Sequence, residues 1–242
     1  MRELSLFTGA GGGLLGTKLL GWNHVGYVEF NEYCQKVIAQ RIADGHLDRA
    51  PIFTDVREFV QSGAAEQYRG IADVVSGGFP CQPFSVAGSR KAEDDSRNMW
   101  PATADIIRIV RPSRVLLENV PGLLGFDYAK SIFADLAEMG YVGRYGVISA
   151  ADVGAPHKRE RLWVVANAKC QRLPRSRPLG ESSDTAQGDY READRLVDAF
   201  QGKALPFVCR SHDGDANRVD RLKAIGNAQV PACVVKAWEL LA

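Results

Sequence analysis

Short apolar runs and amphipathic stretches alternate along most of this chain, the pattern of strands and helices taking turns. Residues 4–7 read as a strand, and Thr8-Gly9-Ala10-Gly11-Gly12-Gly13 separates it from a helix over 14–20. A second strand over 26–30 closes on Glu29 and Phe30. Asn31 then stands where it can cap a helix to about Arg41, with Cys34, Val37, Ile38 and Ile42 on its apolar face. Residues 51–56 predict a third strand ending near Asp55 and Val56. The apolar run 71–76 predicts a fourth, buried strand that leads into Gly77-Gly78-Phe79-Pro80-Cys81-Gln82-Pro83-Phe84-Ser85. Helical spacing of Ala102, Ile106, Ile109 and Val110 predicts a helix over 100–110, stopped by Pro112. Then follow a strand over 114–117, a helix over 130–139 buried through Ile132, Phe133 and Leu136, a strand over 142–149 and another over 162–166. After Asn167 the periodicity lapses, with only a short amphipathic turn at Leu196, Val197 and Phe200 and a short strand over 205–208. It resumes after Pro231 in a helix whose stripe reads Ala232, Val235, Trp238 and Leu241.

Strands that alternate with helices define an α/β fold with a largely parallel sheet. In such a sheet a ligand crevice lies outside the carboxyl ends of the strands, so Glu29, Asp55, Cys81 and Glu118, each at a strand's carboxyl end, are expected to face one crevice. The 242 residues suffice for one substantial core with an appendage. The expected division is 1–166 as a cofactor-binding catalytic domain, 167–217 as a small irregular segment, and 218–242 packing back on the first.

Composition changes little. With 45% hydrophobic and 24% charged residues the chain is an ordinary globular protein, which excludes disordered and fibrous classes. A formal charge of +1 leaves room for a local phosphate-binding patch. The five cysteines include no Cys-x-x-Cys pair, so they read as reduced intracellular thiols; Cys209 and His212 lack the second pair a zinc site needs. No run approaches the roughly 20 apolar residues of a membrane helix, and a cytoplasmic protein is expected.

The candidate chemistry gathers at the turns. The glycine turn is a nucleotide cradle or a flexible turn; read from Gly11, Gly13 and Gly16 it also satisfies a dinucleotide fingerprint. Glu29 stands where a carboxylate would accept two hydrogen bonds from a ribose diol, with Phe30 against an adenine face. Asp55 suits an adenine amino group and Val56 the ring. Cys81, held between prolines after two glycines, is presented as a nucleophile would be, and the polar stretch 86–97 reads as a lid or a solvated linker. Arg159 and Arg161 share one face at the start of a strand, as a phosphate and a carbonyl oxygen would require. Lys169, Arg172, Arg175 and Arg177 form a basic cluster suited to phosphates or to solvent.

Taken in order, Phe7-Thr8-Gly9-Ala10-Gly11-Gly12, Glu29, Asp55, Gly78-Phe79-Pro80-Cys81-Gln82-Pro83-Phe84-Ser85, Glu118-Asn119-Val120, Arg159-Glu160-Arg161 and Gly226-Asn227-Ala228-Gln229-Val230-Pro231 resemble the cytosine-C5 DNA methyltransferases that use S-adenosylmethionine. The resemblance implies a Rossmann-like methyltransferase sheet with flanking helices plus a small target-recognition segment. It implies Cys81 as the thiolate that adds to cytosine C6, Glu118 as the acid at N3, Arg161 at O2, and Arg159 orienting the cysteine loop or a phosphate. Cofactor contacts are implied at Phe7, Gly9, Ala10, Gly11, Gly12, Glu29, Phe30, Asp55, Val56, Pro80, Trp100, Asn227 and Ala228. It also implies double-stranded DNA as substrate with the target base flipped out, a monomeric chain in a prokaryotic cell or phage setting, and a cognate restriction endonuclease as possible company. No metal is implied. Ser5 departs from the pattern, because many relatives carry an acid there. Two alternatives stay open: a non-catalytic relative, because about fifty residues make a meagre reading segment, and the same chemistry on RNA.

Overall fold

The alternation of the strands decides which helix covers which face of the sheet. The computed structural model describes residues 1–80, 98–169 and 218–242. Its elements are β1 (Arg2–Leu6), α1 (Gly12–Leu19), β2 (Asn23–Val28), α2 (Glu32–Ala43), β3 (Ile52–Phe53), α3 (Val56–Gln61), β4 (Val74–Gly77), α4 (Trp100–Val110), β5 (Arg114–Asn119), α5 (Asp127–Glu138), β6 (Tyr141–Ser149), β7 (Glu160–Ala168), α6 (Arg218–Asn227) and α7 (Pro231–Leu241). Seven strands form one sheet in the order β3-β2-β1-β4-β5-β7-β6. Neighbours from β3 to β5 pair in parallel, while β7 lies antiparallel to β5 and to β6. The order runs outward in both directions from β1 and β4, so the topological switch point lies between them, and a ligand crevice is expected at their carboxyl ends.

In β1, Leu4 and Leu6 point to the face where Val75, Val115 and Leu117 meet α3, α4 and α5 through Val56, Phe59, Ile107, Val110, Ile132 and Leu136. On the other face Val74, Leu116, Trp163 and Val165 pack on Cys233, Val234 and Ala237 of α7. Leu14, Tyr27 and Ile38 form a smaller cluster with Leu47. Glycine permits the closest of these approaches. A Cβ on Gly16 of α1 would lie 2.5 Å from Val234 Cβ and 2.7 Å from the Pro231 carbonyl.

Contact within the chain separates two units, residues 1–171 with 223–242, and residues 172–222. The expectations placed on Cys81, on the stretch 86–97, on the basic cluster from Arg172, on Leu196 to Phe200, on residues 205–208 and on Cys209 with His212 lie outside the described residues. No described helix is long and apolar enough to cross a membrane.

The structure corrects several boundaries. The third strand is only two residues long, because Asp55 caps a short helix, α3, that the alternation hid; its carboxylate accepts from Arg57 N at 2.7 Å. In α7 the buried positions are Cys233, Val234 and Ala237 rather than Ala232, Val235, Trp238 and Leu241. Trp238 instead stands edge-on to Trp22 at 4.6 Å. In α4 the buried set extends to Trp100, Thr103, Ala104 and Ile107, and Ala102 and Ile109 sit at its margin. Helices covered on a wide front blur a single stripe. The cap at Asn31 is as expected, accepting from Cys34 N at 3.0 Å.

Candidate active site

The turn after β1 is bent sharply. Phe7 takes φ +50°, a left-handed conformation that a bulky side chain adopts at a cost of about 1–3 kcal/mol, and such strain persists only where the surroundings fix it. Here the Thr8 hydroxyl donates to the Ser5 carbonyl at 3.1 Å, and Thr8 N donates to the Val28 carbonyl at 3.2 Å. Gly9, at φ +59°, has nothing within 4 Å of where a side chain would begin, so its backbone faces open space.

Glu29 lies just past the end of β2 and is only 8% exposed. Its carboxylate draws the turn together, accepting from Gly9 N at 2.6 Å through Oε2 and from Asn31 N at 2.8 Å through Oε1. A carboxylate offers about four acceptor sites, so two remain for a ligand's hydroxyls. Phe30 beside it is 78% exposed. Val56, by contrast, has its side chain in the core.

β4 and β5 run in register, with Gly77 opposite Leu117, which brings Gly78 beside Glu118. A Cβ on Gly78 would lie 2.7 Å from Glu118 Oε2. Glu118 Oε1 pairs with Arg161 Nε at 2.8 Å, reached because β7 sits antiparallel to β5. Burial pushes the Glu118 carboxyl above its ordinary range; Arg161, a hydrogen bond from Gln229 and Arg159 oppose that rise without cancelling it. Asn119 is buried; its Nδ2 donates to the Phe79 carbonyl at 3.2 Å and its Oδ1 accepts from Val120 N at 2.8 Å. It therefore ties β5 to the segment that leads into Cys81.

Among the described residues, Arg159 meets the last turn of the chain. Its guanidinium donates to the carbonyls of Gly226 at 2.7 Å and Ala228 at 3.0 Å, so it fastens the turn between α6 and α7. That turn leans on α1, and a Cβ on Gly12 would lie 2.5 Å from the Gln229 carbonyl. Gly12, Gly13 and Gly16 thus have a packing reason in the last turn and helix, and the dinucleotide fingerprint is a coincidence of spacing.

One cavity brings these parts together. It is lined by Leu6 to Gly9, by Gly77 and Gly78, by Glu118, and by Asn227, Ala228 and Gln229, together with the buried Glu3, Ser5 and Ser76. Phe7, Gly9, Asn227 and Ala228 are therefore at the cavity. Ala10, Gly11, Gly12, Glu29, Phe30, Asp55, Val56 and Pro80 are outside its lining. Trp100 is a core residue, 3% exposed, that packs on Phe79 and donates from its indole N–H to Asp135 at 2.6 Å. Sequence reasoning passed over Gln229 and Asn119 as site residues. Both stand inside the motifs quoted above, but nothing local shows that Gln229 lies beside Glu118.

A doubly covered sheet with a strained glycine turn after β1, an acid after β2 and a largely covered acid beside the exit of β4 forms the frame of a ligand-binding α/β domain. The chain belongs to the C-5 cytosine-specific DNA methylase family, whose model matches residues 1–228. It is 34% identical over 167 residues to the Type II methyltransferase M.NgoMIV of Neisseria gonorrhoeae, covering 68% of this chain and 51% of that protein. It is 32% identical over 218 residues to the Type II methyltransferase M.AquIA of Picosynechococcus sp., covering 84% of each. The fold is also that of a Spodoptera frugiperda DNMT2 variant, with a TM-score of 0.59 and 20% identity over 74% of this chain and 53% of that one. The chain spans about half the length of curated relatives it matches, 51% of M.NgoMIV and 48% of M.AplI from Arthrospira platensis.

Proposed function

We propose that this chain transfers a methyl group from S-adenosylmethionine to C5 of a cytosine in double-stranded DNA, through a covalent adduct between Cys81 and C6 of a flipped-out base. The observation that carries the reading is Glu118: a largely covered acid, its carboxyl pushed up, paired with Arg161 and set beside the strand exit that leads to Cys81.

The residues present suit the cofactor. The open backbone at Gly9, the bent turn at Phe7, the spare acceptors of Glu29 and the cavity wall at Gly77, Gly78, Asn227 and Ala228 would hold it. When bound, S-adenosylmethionine supplies an electrophilic methyl group. Cytosine C5 is a poor nucleophile until the ring gains electrons. The Cys81 thiolate adds to C6, forming the S–C6 bond and pushing the electron pair of the C5–C6 double bond toward N3. Glu118, as the neutral acid, gives N3 a proton and becomes a carboxylate; Arg161 stabilises it and is placed to hold O2. C5 then has enamine character. After transfer, which leaves the cofactor as its neutral thioether, a water takes the C5 proton, N3 returns its proton to the Glu118 carboxylate and the S–C6 bond breaks, restoring the ring, the acid and the thiolate. Extruding the base costs on the order of a few kcal/mol, and methyltransferases are among the enzymes known to do it.

The test is labelled methyl transfer with DNA and tRNA offered in parallel. Label on DNA that survives competition from tRNA supports the reading, and label on tRNA alone moves the chemistry to RNA. Cys81→Ser should abolish transfer and leave cofactor affinity near wild type. An active serine variant would end the covalent scheme. The Type II relatives suggest a restriction partner in the cell, and a monomer is the simplest assembly for one flipped base.

A further inference from the structure

Gln229 touches three parts of the site at once. Its Oε1 would lie 2.2 Å from a Cβ on Gly13, so the amide rests directly on the first turn of α1. Its Nε2 would lie 3.1 Å from a Cβ on Gly78, the same point that Glu118 Oε2 approaches to 2.7 Å. Gln229 Nε2 and Glu118 Oε2 thus converge beside Gly78, where the amide's hydrogen bonding lowers the proton affinity of the carboxyl, and Arg161 Nε holds Glu118 Oε1 at 2.8 Å. The amide presents its NH2 toward Glu118 and its oxygen over Gly13. Behind it the main chain is fixed: the Ala228 carbonyl accepts from Arg159, and the Gln229 carbonyl abuts Gly12.

We propose that Gln229 is a positioning residue for Glu118, a strut that joins the acid at the end of β5 to the first turn of α1. This rests on the function proposed above. With Arg161 on Oε1 and the Gln229 amide beside Oε2, the carboxyl is braced from two sides. The link also makes the glycine turn and the proton donor one body, so a shift of α1 on ligand binding reaches Glu118 through a single side chain. The N–H of Gln229 favours the ionised carboxyl, whereas burial favours the neutral acid. Gln229 therefore limits how far the acid form persists as pH rises. Only an α1 without side chains at Gly12 and Gly13 admits this arrangement.

Gln229→Met keeps the length of the side chain and removes the amide. The carboxyl of Glu118 can be titrated by carbon NMR, its signal identified by its absence in Glu118→Gln, in wild type and in the Met variant. The expected result is a titration midpoint about one pH unit higher in the variant, as loss of one hydrogen bond to a charged group implies. The alkaline limb of single-turnover methyl transfer should move up with it. Gly13→Ala displaces the amide from the other side and is expected to give the same shift, with no further shift in the double variant. An unchanged midpoint in a Met variant that melts with wild type overturns the proposal; if that variant does not fold, Gly13→Ala decides in its place. A shifted midpoint in a protein that transfers no methyl group would retain the strut and refute the proposed function instead.

Discussion

Glu118 is pulled in two directions, and the balance decides its use. Burial raises its proton affinity and Arg161, Gln229 and Arg159 lower it, with burial ahead. The sign follows directly. The acid form is present below the raised value and is lost as pH rises through it, so the chemical step should slow on the alkaline side. The same proton contributes folding stability at low pH that disappears over the same rise. Glu118→Gln keeps the shape but cannot deliver an acid proton. Its single-turnover rate should fall about 100-fold, the lower range for general acid catalysis, and its alkaline limb should flatten. Wild-type rates in that variant would refute the role. At this scale the sequence is informative wherever chemistry is written in adjacent residues, as at Pro80-Cys81-Gln82 and Glu118-Asn119-Val120. Arg159 and Gln229 are different. Their partners are backbone carbonyls and a carboxylate brought near only by the fold, and no spacing announces them.

At the scale of elements, most strands and helices are visible in the chain as runs and stripes, and the errors have physical causes. A two-residue β3 leaves no alternation to read, and α3 is too short to show a stripe. The face of α7 is wider than a single stripe shows: Gly16 of α1 admits Val234 inward, while Trp238 and Leu241 pack at the margin of the same cluster, Trp238 against Trp22. That packing is testable. Gly16→Ala would gain helix propensity but drive a methyl group into Val234 and the Pro231 carbonyl. Overpacking of this kind typically costs 1–3 kcal/mol, and a net loss of about 1 kcal/mol is expected. It should appear as a lower urea midpoint with an unchanged slope. A variant as stable as wild type would show that α1 and α7 part more easily than their contact suggests.

At the scale of the molecule, α7 completes one face of the sheet. Without residues 223–242, Val74, Leu116, Trp163 and Val165 would lose the cover of Cys233, Val234 and Ala237. A chain truncated after Leu222 should bind a hydrophobic dye and lose its cooperative melting transition. A sharp transition at the wild-type temperature would mean that the last helix is an ornament. The α/β class was legible, because alternating element types leave few architectures. The place of β7 between β5 and β6 was not, since antiparallel insertion at a sheet edge is a matter of long-range pairing. The same pairing puts Arg161 on Glu118, so the acid's charge partner is a product of topology.

The close fit of Gly12, Gly13 and Gly16 against Gln229, Pro231 and Val234 also has a meaning in time. The first of these residues leave the ribosome early and the second only after nearly all of this sequence has been made. Until then α1 has bare backbone where its packing partner belongs, and the glycine turn beside it is anchored at one side only. The site therefore lacks one wall until residues 229–234 have emerged, however early its sheet begins to form. A nascent chain would carry the glycine turn well before the residues that complete its packing.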